Sequence, residues 1–122
     1  MLTRLILAAA MAVAGAGSAD AANIHGAIAF SQSTGLDGYS YNYPSRGGAE
    51  QRALKYCLPR AADCRIVIHF YNACAALAVG DGRGWGVAWA AKRDGAEGQA
   101  LYNCSTHTTN CYVQRWVCSG SY

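Results

Sequence analysis

Two cysteines of this chain return as copies. Cys57 and Cys64 reappear as Cys104 and Cys111, each 47 positions further on. The run before them returns too. Arg46 to Cys57 matches Arg93 to Cys104 without a gap, with Arg, Gly, Ala, Glu, Ala, Leu and Cys in register. A fixed internal period is the mark of a duplicated structural unit. Such a chain must fold as two similar halves, each built around a helix that ends in a cysteine.

The chain holds six cysteines. An even number in a short exported chain reads as three disulfides. Export is expected from the N-terminus. Arg4 supplies a positive charge, Leu5 to Ala14 is apolar but short for a membrane span, and Ala19-Asp20-Ala21 has the small-x-small form of a cleavage site. Residues 1–21 are therefore expected to be a signal peptide, and residues 22–122 one disulfide-stabilised domain in the periplasm or outside the cell. The repeat allows two sets of bridges. The local set is Cys57–Cys64 and Cys104–Cys111, leaving Cys74–Cys118. The rival set is Cys57–Cys104 with Cys64–Cys111. Short loops close readily, which favours the local set.

The formal charge is +3, with no run of Lys or Arg. Nucleic-acid binding asks for a denser basic stripe. No stretch after the leader is long and apolar enough to cross a membrane as a helix.

Each half reads as strand, strand, helix, strand. Ile24 to Phe30 is an apolar run of strand length, and Ser31 to Gly38 has loop composition. Tyr39, Tyr41 and Tyr43 alternate with Ser40 and Asn42, the two-residue period of a half-buried strand. Pro44 stops that strand. After the helix, Cys64, Ile66, Ile68 and Phe70 form one face of the next strand. The second half runs through Cys74 to Val79, an Asp81-Gly82 turn, Trp85 to Ala90, the second helix and Cys111 to Cys118. Asn72 and Ala73 are too few for a linker, so the halves share one core. The fold expected is α+β: two fused repeats, about residues 24–71 and 74–118, mainly antiparallel sheet with two helices and three disulfides.

Chemistry-bearing residues are sparse. The matched Glu50 and Glu97 suit paired carboxylates of a glycan-cleaving enzyme. Asp94 with Glu97 also has the form of a capping box. Matched Arg46 and Arg93 open the helices, where a cation gains nothing from the dipole; stacking on a Tyr or Trp is the plain alternative. His25, His69 and His107 share no metal-binding spacing, so no metal or cofactor is expected. Six paired cysteines leave no thiolate nucleophile. The aromatic strands are the best binding candidates: Tyr39, Tyr41 and Tyr43 as one ladder, with Trp85 and Trp89 in the matching strand. Arg115 stands where the first half has Ile68, on a face read as buried. Either the strand bulges there or the guanidinium has a partner.

Taken together, several short motifs resemble a known family. They are Gly26-Ala27-Ile28-Ala29, Tyr41-Asn42-Tyr43-Pro44-Ser45-Arg46, Cys64-Arg65-Ile66-Val67, Asn72-Ala73-Cys74-Ala75-Ala76-Leu77-Ala78, Gly84-Trp85-Gly86, the two Ala-Glu…Ala-Leu…Cys runs and Trp116-Val117-Cys118. The pattern is similar to the exported bacterial family of domain of unknown function 4189. That resemblance implies a small secreted α+β domain held by disulfides, with some mycobacterial members acting as secreted factors on a host. It brings no catalytic residues. The function expected is a non-enzymatic binding or interaction domain for a protein or glycan partner. The alternatives are a cell-wall or glycan-active enzyme and a periplasmic inhibitor of a hydrolase.

Overall fold

The computed structural model describes residues 23–120; the expected leader lies outside them. Among the described residues the order is β1 (His25–Phe30), β2 (Asp37–Tyr43), α1 (Arg46–Cys57), β3 (Arg65–Tyr71), β4 (Cys74–Val79), a 3-10 turn (Asp81–Arg83), β5 (Trp85–Ala90), α2 (Arg93–Ser105) and β6 (Tyr112–Cys118). The strands form two three-stranded sheets, ordered β2-β1-β3 and β5-β4-β6, with every pairing antiparallel. Each half of the chain builds one sheet and one helix.

Alternation along the central strands sorts the layers. In β1, Ile28 and Phe30 face the other sheet while Ala27 and Ala29 face α1. In β4, Ala75, Leu77 and Val79 face the other sheet while Ala76 and Ala78 face α2. Large side chains thus fill the space between sheets, and alanines lie under the helices. Burying each of Ile28, Phe30, Phe70 and Leu77 contributes about 2 kcal/mol. Ala49, Ala53 and Cys57 of α1, and Ala96, Ala100 and Cys104 of α2, complete the outer layers. The result is helix, sheet, sheet, helix, with one shared core between the sheets.

The disulfides are Cys57–Cys64, Cys104–Cys111 and Cys74–Cys118. The first two tie the end of each helix to the approach of the following strand. The third joins directly opposed residues of β4 and β6.

Three bulges re-aim side chains in ways alternation alone does not reveal. In β3, Ile68 pairs with Ile28 but Ile66 pairs with Ala29, so Val67 is the extra residue. In β6, Arg115 pairs with Leu77 but Val113 pairs with Ala78, so Gln114 is the extra residue. The two bulges occupy matched positions of the repeat. The single face expected for Cys64, Ile66, Ile68 and Phe70 is therefore split: Cys64 and Ile66 lie against α1, while Ile68 and Phe70 face the other sheet. The third bulge, at Tyr41-Asn42, has Asn42 in the left-handed region at φ 59°. Asparagine tolerates that region better than most residues. The C-terminal segment holds it there: Asn42 N–H donates to Ser119 Oγ at 3.0 Å, and Gly120 N–H donates to Asn42 Oδ1 at 2.9 Å.

Candidate functional site

The third bulge breaks the expected tyrosine ladder. Tyr39 and Tyr41 stay on the sheet-facing side, stacked with centroids 6.4 Å apart. Tyr43 is turned to the opposite face and packs under α1. All three nevertheless border one groove of 620 Å³, because that groove follows the open edge of β2 rather than one face of it.

One wall of the groove is α1 and the short segment after it. Arg52 donates to the Tyr56 hydroxyl and lies over that ring, 4.4 Å from its centroid. The Tyr56 ring sits 6.4 Å from that of Tyr39. Arg60 reaches the carbonyls of Asp37 at 2.9 Å and Tyr56 at 3.0 Å. The opposite wall is Arg115 of β6. Its guanidinium pairs with Asp37 at 2.9 Å and lies 4.4 Å from the Tyr39 centroid. Gln114 donates to the second Asp37 oxygen at 2.8 Å. Both readings of Arg115 therefore hold at once: the strand bulges beside it, and the guanidinium has a carboxylate and a ring as partners. The Asp37 side chain is 5% exposed, and a buried carboxylate needs such neutralisation.

The second half contains the equivalent groove, along the edge of β5. It has a volume of 530 Å³ and is lined by Trp85, Gly86, Val87, Asn103 and His107 among others. The two grooves lie on opposite sides of the sandwich, since β2 runs beside β6 and β5 beside β3. Their chemistry differs. Arg52, Tyr56 and Arg60 of the first half correspond to Gln99, Asn103 and His107, and Arg115 corresponds to Ile68. Asn103 donates to the Val87 carbonyl at 2.8 Å, closing that edge.

Of the sequence candidates, Tyr39, Tyr41, Tyr43 and Arg115 come together. Trp85 and Trp89 do not join them. Trp85 packs on Phe30 with centroids 6.1 Å apart, and Trp89 lies half-exposed against Tyr71 at 5.5 Å. Arg52, Tyr56, Arg60 and Asp37 line the groove without any signal from strand alternation. The signal that marks Arg52 and Tyr56 is their spacing of four on an exposed helix face, where the other copy has amides.

The matched glutamates are each held by the arginine a turn earlier, Glu50 by Arg46 at 2.9 Å and Glu97 by Arg93 at 2.8 Å. They sit on helices covering opposite outer faces of the sandwich. The capping box expected at Asp94 is not formed: α2 is preceded by Lys92, whose side chain makes no cap, while Ser45 caps α1 by accepting from Gly48 N–H at 3.1 Å. Arg93 stacks on Trp116, 3.8 Å from its centroid. Among the described residues no cluster of three or more His, Cys, Asp or Glu could hold a metal ion.

His25 and His69 share a hydrogen bond of 3.0 Å between ring nitrogens. Burial, the charge of Arg46 and the neighbouring His25 hold the His69 imidazole below its ordinary value of 6.5, while Glu50 opposes them. The folded state therefore favours the neutral ring, and the unfolded chain takes up the proton first. Stability is complete above that ordinary value and falls as pH is lowered through it. The melting temperature should be lower at pH 5 than at pH 7, and His69→Gln should shrink that difference. An unchanged difference in the variant would place the pH dependence elsewhere.

The fold and its paired grooves define a disulfide-bonded α+β domain made by duplication. The chain belongs to the family described as domain of unknown function (DUF4189), whose model matches residues 25–118. It is similar to protein Rv1269c of Mycobacterium tuberculosis and protein Mb1300c of Mycobacterium bovis. Each is 35% identical over 104 residues, which span 83% of this chain and 74% of the relative. The NMR structure of Rv1813c from M. tuberculosis shares the fold, with a TM-score of 0.59 and 24% identity over 78% of this chain and 74% of that one.

Proposed function

We propose that this chain is an exported, non-enzymatic binding domain that holds an anionic ligand in the groove along β2. The supporting observation is the contrast between the two equivalent grooves. Duplication has kept the scaffold matched: the helix alanines, the cysteines and the Arg–Glu pairs. The groove positions have diverged, with Tyr39, Arg52, Tyr56, Arg60 and Arg115 against Val87, Gln99, Asn103, His107 and Ile68. A duplicated scaffold frees one copy to acquire binding residues without disturbing the fold.

Charge decides the class of ligand. Asp37 neutralises Arg115, whereas Arg52 and Arg60 make no ion pair among the described residues. The groove therefore carries uncompensated positive charge beside four tyrosine rings, which suits a carboxylate-bearing ligand with flat or apolar segments. Export is supported by the leader-like N-terminus and the three disulfides. On this reading the ligand is a protein or a glycan of the cell envelope or of a host.

The test is calorimetric titration of the intact protein with two polyanions, polyglutamate and oligogalacturonate. At least one should bind, and Arg52→Gln should weaken it by about tenfold without lowering the melting temperature. Arg65→Gln, on the far side, should leave affinity unchanged. Equal binding by wild type and Arg52→Gln would overturn the reading.

A further inference from the structure

If the groove along β2 holds an anionic ligand, the backbone groups that β2 leaves free narrow the class of that ligand. In an antiparallel strand the N–H and C=O of one residue point to the same side, and successive residues alternate. Ser31 N–H donates to the Leu36 carbonyl at 2.9 Å, so the backbone of Leu36 faces β1. Gly38 and Ser40 then face β1 as well, and Asp37 and Tyr39 face the open edge. The Arg60 bond to the Asp37 carbonyl agrees with this parity.

The same parity holds in the second half. Gly80 N–H donates to Gly84 O at 2.8 Å, so Val87 faces outward, and its carbonyl is covered by Asn103. In the first half the matching helix residue is Tyr56, which has no amide to offer. Among the described residues, no side chain bonds the Tyr39 N–H or C=O. Arg60 closes one end of the edge at Asp37, and the bulge held by Ser119 closes the other at Asn42. Between them the rung at Tyr39 is open. Proteins commonly block such rungs, because an open edge recruits another strand.

We infer that the groove takes a short extended peptide, which pairs its main chain with Tyr39 as an added strand of the β2-β1-β3 sheet. Side chains of an added strand alternate between the two walls. Those toward α1 meet Arg52, Arg60 and the Tyr56 ring, so they are acidic. Those toward β6 meet Tyr39, Tyr41 and an Arg115 already neutralised by Asp37, so they are apolar. The partner sequence is therefore an acidic–apolar alternation. A uronic-acid glycan could satisfy the arginines, but it offers no amide and carbonyl spaced to take up both groups of one residue.

The experiment uses the intact protein labelled with nitrogen-15 and four probes. These are a capped peptide alternating glutamate and valine, the same peptide N-methylated on every second residue in either frame, and oligogalacturonate. The plain peptide should bind, slow hydrogen exchange of the Tyr39 amide by about tenfold, and leave the Val87 amide unchanged. Methylation in one frame should weaken binding by about tenfold, and in the other frame hardly at all. Binding of both methylated peptides as tightly as the plain one overturns strand addition, as does an unchanged Tyr39 amide at saturation. Oligogalacturonate binding that needs Arg52, with no peptide binding, also overturns it while leaving the anionic groove standing. Failure of every anionic probe overturns both.

Discussion

Replacing Cys74 and Cys118 together by alanine should destabilise the fold by about 4 kcal/mol, against about 2.5 for the Cys57, Cys64 pair. The difference follows from the loops closed, a sequence separation of 44 against 7. In the chain-entropy account, a longer loop leaves the unfolded chain more freedom when the bridge is removed. Topology adds to the argument. Cys74 and Cys118 are cross-strand partners in the second sheet, and the matched positions of the first sheet are His25 and Tyr71. The first half thus relies on a ring contact, 5.7 Å between centroids, where the second has a covalent bond. A domain of this size has a stability of roughly 5–15 kcal/mol in all. Loss of the long bridge should therefore move the denaturation midpoint far down, with the two short-bridge variants close to each other. Guanidinium unfolding of the three double variants checks the order. Equal losses for the long and short bridges would refute the loop argument.

Much of the fold was legible in the residues themselves. The copied Arg-to-Cys run located both helices, and the Ala spacing identified their buried faces. The apolar and alternating runs located the six strands to within two residues; the largest difference is at β2, where Asp37 and Gly38, read as loop from their composition, pair with Phe30 and Ala29. What alternation could not carry was an inserted residue. Val67, Gln114 and the Tyr41-Asn42 pair each break the two-residue period, and nothing in their side chains announces it except the asparagine. That is why alternation groups Tyr43 with Tyr39 and Tyr41, and Ile66 with Ile68, while the structure separates both sets. Nor does alternation say which strands pair, so a division into two stacked sheets was beyond it. The groove was half visible. Arg115 stood out against Ile68 because a cation on a buried face is costly. Arg52, Tyr56 and Arg60 did not stand out, because charged and aromatic residues on an exposed helix face are ordinary. They become informative only beside Gln99, Asn103 and His107 of the other copy.

Gly38→Ala and Gly86→Ala should each cost about 3 kcal/mol, the upper part of the range for overpacking a tight contact. A Cβ at Gly38 would sit 2.2 Å from the Ala53 carbonyl oxygen, and one at Gly86 would sit 2.2 Å from the Cys104 nitrogen. Both obstacles are helix backbone, which has no rotamer to escape into, so the helix must lift from its sheet. Lifting it opens the alanine layers beneath, where close packing leaves no slack. Gly98→Ala is the matched control. Nothing lies within 4 Å of its added Cβ, and it should stabilise α2 by roughly 1 kcal/mol. Thermal or denaturant unfolding of the three variants gives the comparison, and a neutral Gly38→Ala would mean that α1 is free to shift. The two costly glycines are equivalent in the duplication, so their stability losses should match. Their effect on binding should not. Gly38 sets the height of α1, and hence of Arg52 and Tyr56, above the edge of β2. Gly86 sets only Gln99 and Asn103 above β5. Under conditions where both variants remain folded, Gly38→Ala should weaken the anionic ligand and Gly86→Ala should spare it. Equal losses of affinity would mean that the scaffold, not the first groove, carries the binding.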